Sequence, residues 1–203
     1  YDVALFREPA GSADSALVHL LEAHGPATRL AISHIRHATR GRVSLANTQP
    51  FCRELEGRMH VFAHNGDLPG IYRSEVLALG PCHPVGQSDS EHAFCALMAR
   101  LQEPWHGGRS PTMEERLAVV TSFAEDVRVL GPANFLYSDG ELLFAHGHRR
   151  LQPGNNLFAL LLQNSGAFFT CVLGITRWRA SASRPKTCAR RPMPWNGSPC
   201  AAA

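Results

Sequence analysis

A chain of 203 residues suits one domain and is long enough to bury a substantial core. Its apolar and charged fractions, 44% and 18%, are those of an ordinary globular protein, and the formal charge of +3 is small, with the basic excess near the C-terminus. No basic stripe interleaved with aromatic residues occurs before residue 150, so nucleic acid is not an expected partner.

The first residues, "YDVALFREPAG", carry charge and proline where a signal peptide needs an apolar run. The chain opens on Tyr1 rather than methionine, and an N-terminal segment is expected to be missing. Over residues 12–24, "SADSALVHLLEAH", Leu17, Leu20 and Leu21 fall on one helical face, and Gly25-Pro26 ends the helix. "RLAISHIRHATRG" begins as a strand and turns polar at its end. "ANTQPF" follows as an irregular segment whose proline argues against a central strand. "RMHVFAHNG" reads as a strand, apolar on both faces through Met59, Val61, Phe62 and Ala63, which suits a sheet covered on both sides.

The next helix starts in "SDSEHAFCALMARLQ", where Ser88 is the N-cap and Glu91 completes a capping box. Phe94, Cys95, Leu97, Met98 and Leu101 form its buried stripe. A second capping box, Thr112 with Glu115, opens "TMEERLAVVTSFAEDVRVL", which Gly131-Pro132 ends. "NFLYSDGELLFAH" is expected as two short strands joined through Asp139-Gly140. There is no internal repeat and no nucleotide-binding glycine fingerprint.

Beyond about residue 155 the chain loses periodicity and becomes dense in Arg, Pro and Ala, a composition that fits disorder or an out-of-frame reading. The apolar run 157–175 is interrupted by Gln163-Asn164-Ser165, so no membrane span is expected. The six cysteines form no CxxC pair and no regular spacing, which argues against a disulfide framework or a zinc ribbon. A reducing, cytoplasmic location is the expectation.

Several residues admit both a plain and a functional reading. Asn65-Gly66 on the dipeptide alone favours a type I′ hairpin turn, yet "DLPGIYR" follows, which suits a loop rather than a returning strand. The functional alternative is an oxyanion hole built from the Asn65 amide and the next backbone N–H. Arg36 is either a solvated strand end or a fork for a carboxylate, with the Thr39 hydroxyl reaching the same anion. Asp89 is either an acid favoured by the helix dipole or, because Ser88 already caps, a carboxylate free to accept an ammonium group. His60 and His64 share a strand face and His34 and His37 lie three apart, but spacing supplies no third zinc ligand, so no metal site is expected. His146 and His148 read as surface residues, and Cys52 and Cys95 as buried core thiols.

Taken in order, "SHIRHATRG", "NTQPF", "FAHNGDL" and "GQSDSEHAF" resemble the motif series of class II glutamine amidotransferases. The likeness is to the small, stand-alone bacterial group allied to the ergothioneine-pathway amidohydrolase and the yeast glutathione-degrading amidotransferase. It extends from Tyr1 to about Arg150. The resemblance implies an α+β fold, the four-layer αββα sandwich of N-terminal-nucleophile hydrolases, over residues 1–154, lacking its first strand, with 155–203 as an irregular tail. It implies that Arg36 and Thr39 bind the α-carboxylate of glutamine, that Asp89 holds the α-ammonium, and that Asn65 and Gly66 form the oxyanion hole. His37 stands where some relatives carry a tryptophan. The nucleophile of such enzymes is an N-terminal cysteine whose own amine is the base. Position 1 here is Tyr1, and Cys82, in the proline-rich loop "GPCHPVG", is the one cysteine expected to be exposed.

Three functions compete at this level. The first is a fragment of an enzyme that hydrolyses the side-chain amide of glutamine or a γ-glutamyl compound through a cysteine thioester, with no cofactor, either alone or delivering ammonia to a partner subunit. The second is a catalytically inactive module that binds glutamine or γ-glutamyl compounds. The third is a metal-dependent hydrolase using the histidines.

Overall fold

Two tight hairpins and one long excursion build the sheet. The computed structural model describes residues 2–11, 15–28, 30–35 and 42–148. Strand β1 (Phe51–Leu55) returns as β2 (Arg58–Gly66) with Leu55 opposite Arg58. The two residues between, Glu56 and Gly57, have φ of 49° and 76°, the positive values that a type I′ turn requires of both central residues. The long excursion from β2 carries helix α2 (Asp89–Trp105) and helix α3 (Met113–Leu130) before β3 (Ala133–Ser138) lies antiparallel beside β2. Strand β4 (Leu143–His146) completes the order β1-β2-β3-β4.

The Asp139-Gly140 hairpin forms as expected. Asp139 closes it by accepting the N–H groups of Glu141 and Leu142 at 3.0 and 2.8 Å, and Gly140 supplies φ 86°. The same carboxylate, fully buried, pairs with Arg116 of α3 at 3.0 Å. That guanidinium also donates to Pro111 O and Ser110 Oγ, so the buried charge is neutralised and its donors are used.

Alternation along β2 sends His60, Phe62 and His64 to the face beneath the helices. Phe62 stacks on Phe94 of α2 with centroids 5.3 Å apart and meets Phe123 of α3 edge-on at 6.3 Å. Each such ring contributes about 1.5–3 kcal/mol by leaving water. The expected stripe of α2 is buried throughout, and so are Ser90 to Met98 without a break. On the opposite face Val61 and Ala63 are buried, whereas Met59 and the cross-strand neighbours Cys52 and Leu136 are half-buried.

Helix α1 (Ala16–His24) forms behind its Ser15 cap and ends at Gly25 as expected, with none of its residues buried. Expectations for one strand, one capping box and three single residues are corrected. Residues 30–35 of the expected strand "RLAISHIRHATRG" are not in a strand. Apolar composition alone does not make a strand; a strand forms where packing and a neighbouring strand support it. The Ser88 capping box is half formed: Ser88 Oγ accepts the Glu91 N–H at 3.1 Å, but the Glu91 carboxylate turns to the loop before the helix. By contrast, both halves of the Thr112–Glu115 box are present. His146, against Phe135, and His148 are half-buried rather than surface residues, and Cys52 is half-buried rather than part of the core. Among the described residues no helix is long and apolar enough to cross a membrane. The expectations for the tail, 155–203, lie outside the described residues.

Candidate active site

Asn65 and Gly66 are the last two residues of β2, opposite Asn134 and Ala133 of β3. They are therefore not the hairpin turn that the dipeptide alone suggests; the chain leaves the sheet at Asp67 and does not return for two helices. Asn134 Nδ2 donates to the Asn65 carbonyl at 3.1 Å, and the Asp67 N–H donates to Pro132 O at 3.2 Å. Because N–H groups alternate in direction along an antiparallel strand, the Asp67 bond turns the Gly66 N–H away from β3. On that other side β1 pairs with β2 only as far as Phe62.

Glycine at position 66 has a packing cause. A Cβ there would stand 1.8 Å from Pro132 O and 2.7 Å from His64 Nε2. Only a residue without a side chain lets the strand end pass so close to the β3 entry.

Asp89 sits at the first position of α2 and reaches the same end of the sheet. Its Oδ2 accepts the Leu68 N–H at 2.9 Å, and its Oδ1 accepts the Ser90 N–H at 2.8 Å. The carboxylate is thus not free, as Ser88 capping had suggested; it ties the first turn of α2 to the segment leaving β2. A carboxylate offers about four acceptor positions, so these bonds leave capacity for a ligand cation. Ser90 Oγ lies 2.9 Å from His64 Nδ1, a second tie between helix and strand. Burial pushes the His64 imidazole down to about 4, against the opposing pull of Asp89, so the ring is neutral at pH 7. His60, hydrogen-bonded to Tyr137 at 2.8 Å, is likewise pushed down to about 4 by burial.

Sequence reading missed how the irregular "NTQPF" segment holds this end together. Gln49 clamps the backbone of His64 from both sides, accepting its N–H at 2.6 Å and donating to its carbonyl at 2.9 Å. Asn47 Oδ1 accepts the Gln87 N–H at 2.8 Å, just before the α2 cap. Glu91, buried, accepts from Val85 and Gly86 at 3.1 and 2.7 Å and pairs with Arg53 of β1. The available signal was two amide side chains in a segment otherwise lacking structure, which buried backbone needs as surrogate partners.

Asn65, Gly66 and Asp89 are brought to one end of the sheet. Arg36, Thr39 and His37 lie outside the described residues, as does Tyr1. His60 and His64 do share a face, but each is engaged separately, and among the described residues no three His, Cys, Asp or Glu side chains group as metal ligands. Cys52 sits on β1 opposite Val61, four residues or about 13 Å along the strand from Asn65. Cys82 is half-buried against Cys95 rather than exposed.

Residues 1–158 match the family model of the class-II glutamine amidotransferases. The chain belongs to the class II glutamine amidotransferases. Its amidotransferase region is 39% identical over 142 residues to the Escherichia coli protein named "Putative glutamine amidotransferase YafJ", covering 70% of this chain and 54% of that one. It is 34% identical over 144 residues to the uncharacterised protein MJ1515 of Methanocaldococcus jannaschii, covering 71% of this chain and 39% of that one. A Haemophilus influenzae protein, also named as a glutamine amidotransferase of that provisional kind, is 32% identical over 144 residues, covering 71% and 47%. The crystal structure of a predicted glutamine amidotransferase from Pseudomonas aeruginosa PA01 is 39% identical and aligns with a TM-score of 0.44, covering 51% of this chain and 38% of that one. This amidotransferase chain spans about half the length or less of the curated relatives it matches.

Proposed function

We propose that this chain carries the glutamine-recognising and oxyanion-stabilising part of an amidohydrolase that cleaves the side-chain amide of glutamine or a γ-glutamyl compound through a cysteine thioester. The observation that carries this reading is the bond from Leu68 N–H to Asp89, which joins the acid of α2 to the Asn65-Gly66 strand end within one small region. In this reading the sheet with α2 and α3 is half of a four-layer αββα sandwich.

The chemistry needs few groups. A cysteine thiolate attacks the amide carbon, and the carbonyl electrons move onto oxygen. The Asn65 side-chain amide and the Gly66 N–H, turned away from β3, donate to that oxyanion. As the C–N bond breaks, ammonia leaves with a proton from the nucleophile's base, and a thioester remains. Water then attacks the thioester, releasing glutamate and the thiol. Asp89 neutralises the α-ammonium and, with Arg36 and Thr39 on the α-carboxylate, positions the amide. No cofactor enters these steps. The ammonia goes to water or to an acceptor on a partner subunit.

The attacking thiol in this reading is not among the cysteines of the 203 residues, so the chain by itself binds glutamine without cleaving it. Two measurements test this. Purified chain mixed with glutamine should show binding heat and no glutamate release; sustained glutamate production by the chain overturns the assignment of the nucleophile. In the native protein containing this chain, Asn65→Ala should lower kcat by about 100- to 1,000-fold while leaving KM nearly unchanged, as removal of one oxyanion donor does. An unaltered kcat removes Asn65 from the oxyanion hole.

A further inference from the structure

We propose that Cys82 is a site of thiol oxidation by hydroperoxides, with Cys95 as the thiol that resolves it into a Cys82–Cys95 disulfide. The two Sγ atoms stand 2.7 Å apart, already in contact, against about 2.05 Å in a formed disulfide. Cys82 is half-buried in the loop before α2, where a small oxidant can reach it, and Cys95 is fully buried on α2 behind it. Position thus divides the roles: the outer sulfur meets the oxidant and the inner one waits.

The surroundings favour the same division. The Cys95 thiol and then the Arg53 guanidinium pull Cys82 down to about 7, against burial, whereas Cys95 is pushed up by its partner and by burial. Cys52, on β1, is pushed up by burial. Near neutral pH Cys82 is therefore the sulfur with thiolate character, the form that attacks a peroxide. Arg53 is held beside the pair by its bridge to buried Glu91, which also accepts the loop amides of Val85 and Gly86. The loop bearing Cys82 is thereby anchored against α2 in the reduced protein.

The reaction balances with one hydroperoxide. The Cys82 thiolate attacks the terminal peroxide oxygen, the O–O bond breaks, and the departing alkoxide or hydroxide takes a proton from water. Cys82 becomes a sulfenic acid. The Cys95 sulfur then attacks the Cys82 sulfur, the S–O bond breaks, and hydroxide leaves with the Cys95 proton as water. Two thiols and one hydroperoxide give one disulfide, one alcohol or water, and one further water. The link encloses Ser88 and Asp89, but the inference does not depend on any role for them in substrate binding.

The full chain offers a direct test. Both cysteines fall in the single tryptic peptide between Arg73 and Arg100, which contains no other lysine or arginine. Reduced protein is exposed to an equimolar amount of hydrogen peroxide, alkylated in denaturant and digested without reductant. The expected peptide is lighter by two hydrogens and carries no alkyl group, and its halves stay joined after further cleavage at Glu91 until a reductant is added. Cys52 should remain fully alkylated over the same exposure. Substituting Cys95→Ser should leave Cys82 as a sulfenic acid trapped by dimedone; if that variant does not fold, the wild-type map decides alone. Two alkylated cysteines in this peptide, sulfinic acid at Cys82 beside a free Cys95, or pairing of Cys82 with any other cysteine overturns the proposal.

Discussion

Asp89 Oδ2 accepts the backbone N–H of Leu68 at 2.9 Å, across 21 positions of sequence. The bond fixes where α2 begins relative to where β2 ends. The acid and the strand end thus form one unit, and substitutions at Asp89 can separate its scaffolding from its charge.

Asp89→Asn keeps an acceptor for Leu68 N–H, removes the negative charge and turns an NH₂ group to the Ser90 N–H. Urea stability should fall by about 1 kcal/mol, while glutamine affinity measured by calorimetry should fall at least tenfold. Asp89→Ala loses both acceptors and should destabilise the fold by about 2 kcal/mol. Equal glutamine affinity in wild type and Asp89→Asn would dismiss the ammonium role and leave the scaffold role standing.

Gly66→Ala should be poorly tolerated. The added methyl meets Pro132 O at 1.8 Å, and that carbonyl is fixed by its bond from Asp67 N–H. The strand end must shift, at a cost toward the upper end of about 1–3 kcal/mol typical of overpacking. A urea midpoint equal to that of the wild type would show that the strand end yields freely.

Glu91→Gln replaces a double acceptor with one acceptor and one donor. The N–H of Val85 or Gly86 then faces an NH₂ group, and the bridge to Arg53 loses its charge. About 1–3 kcal/mol should be lost. Amide hydrogen exchange at Val85 and Gly86 should accelerate before that of the sheet; unchanged protection at both would place the loop's support elsewhere.

Stability should fall on mild acidification. Burial lowers His60 and His64 from an ordinary value of 6.5 to about 4. The unfolded chain therefore binds more protons than the folded one between these values, so stability rises with pH across that window and levels off above it. Each histidine contributes on the order of 2–3 kcal/mol that is lost as pH falls from about 6.5 toward 4. Denaturation midpoints at pH 7, 6 and 5 should decline, and His64→Gln should flatten the decline. A flat profile in the wild type would mean that both rings protonate without leaving their partners.

Features written in neighbouring residues were legible from the sequence. The Thr112–Glu115 box and the Asp139-Gly140 hairpin follow from spacing because their partners lie within a few positions, and the apolar stripe of α2 and the β2 strand follow from local apolar patterning although what they pack on lies far along the chain. The motif order likewise carried the family. What only the tertiary structure decided is which backbone groups the polar side chains serve. Gln49 clamps His64 across 15 positions, Asn47 reaches Gln87 across 40, and Glu91 abandons its own cap for Val85, Gly86 and Arg53. It also decided that Asn65-Gly66 ends a paired strand instead of turning it, and that the leucine face of α1 stays outside the core. Local propensity is a sum over adjacent residues, whereas a buried N–H or carbonyl takes whichever acceptor or donor the packed chain brings to it. That choice exists only once the sheet and α2 have met.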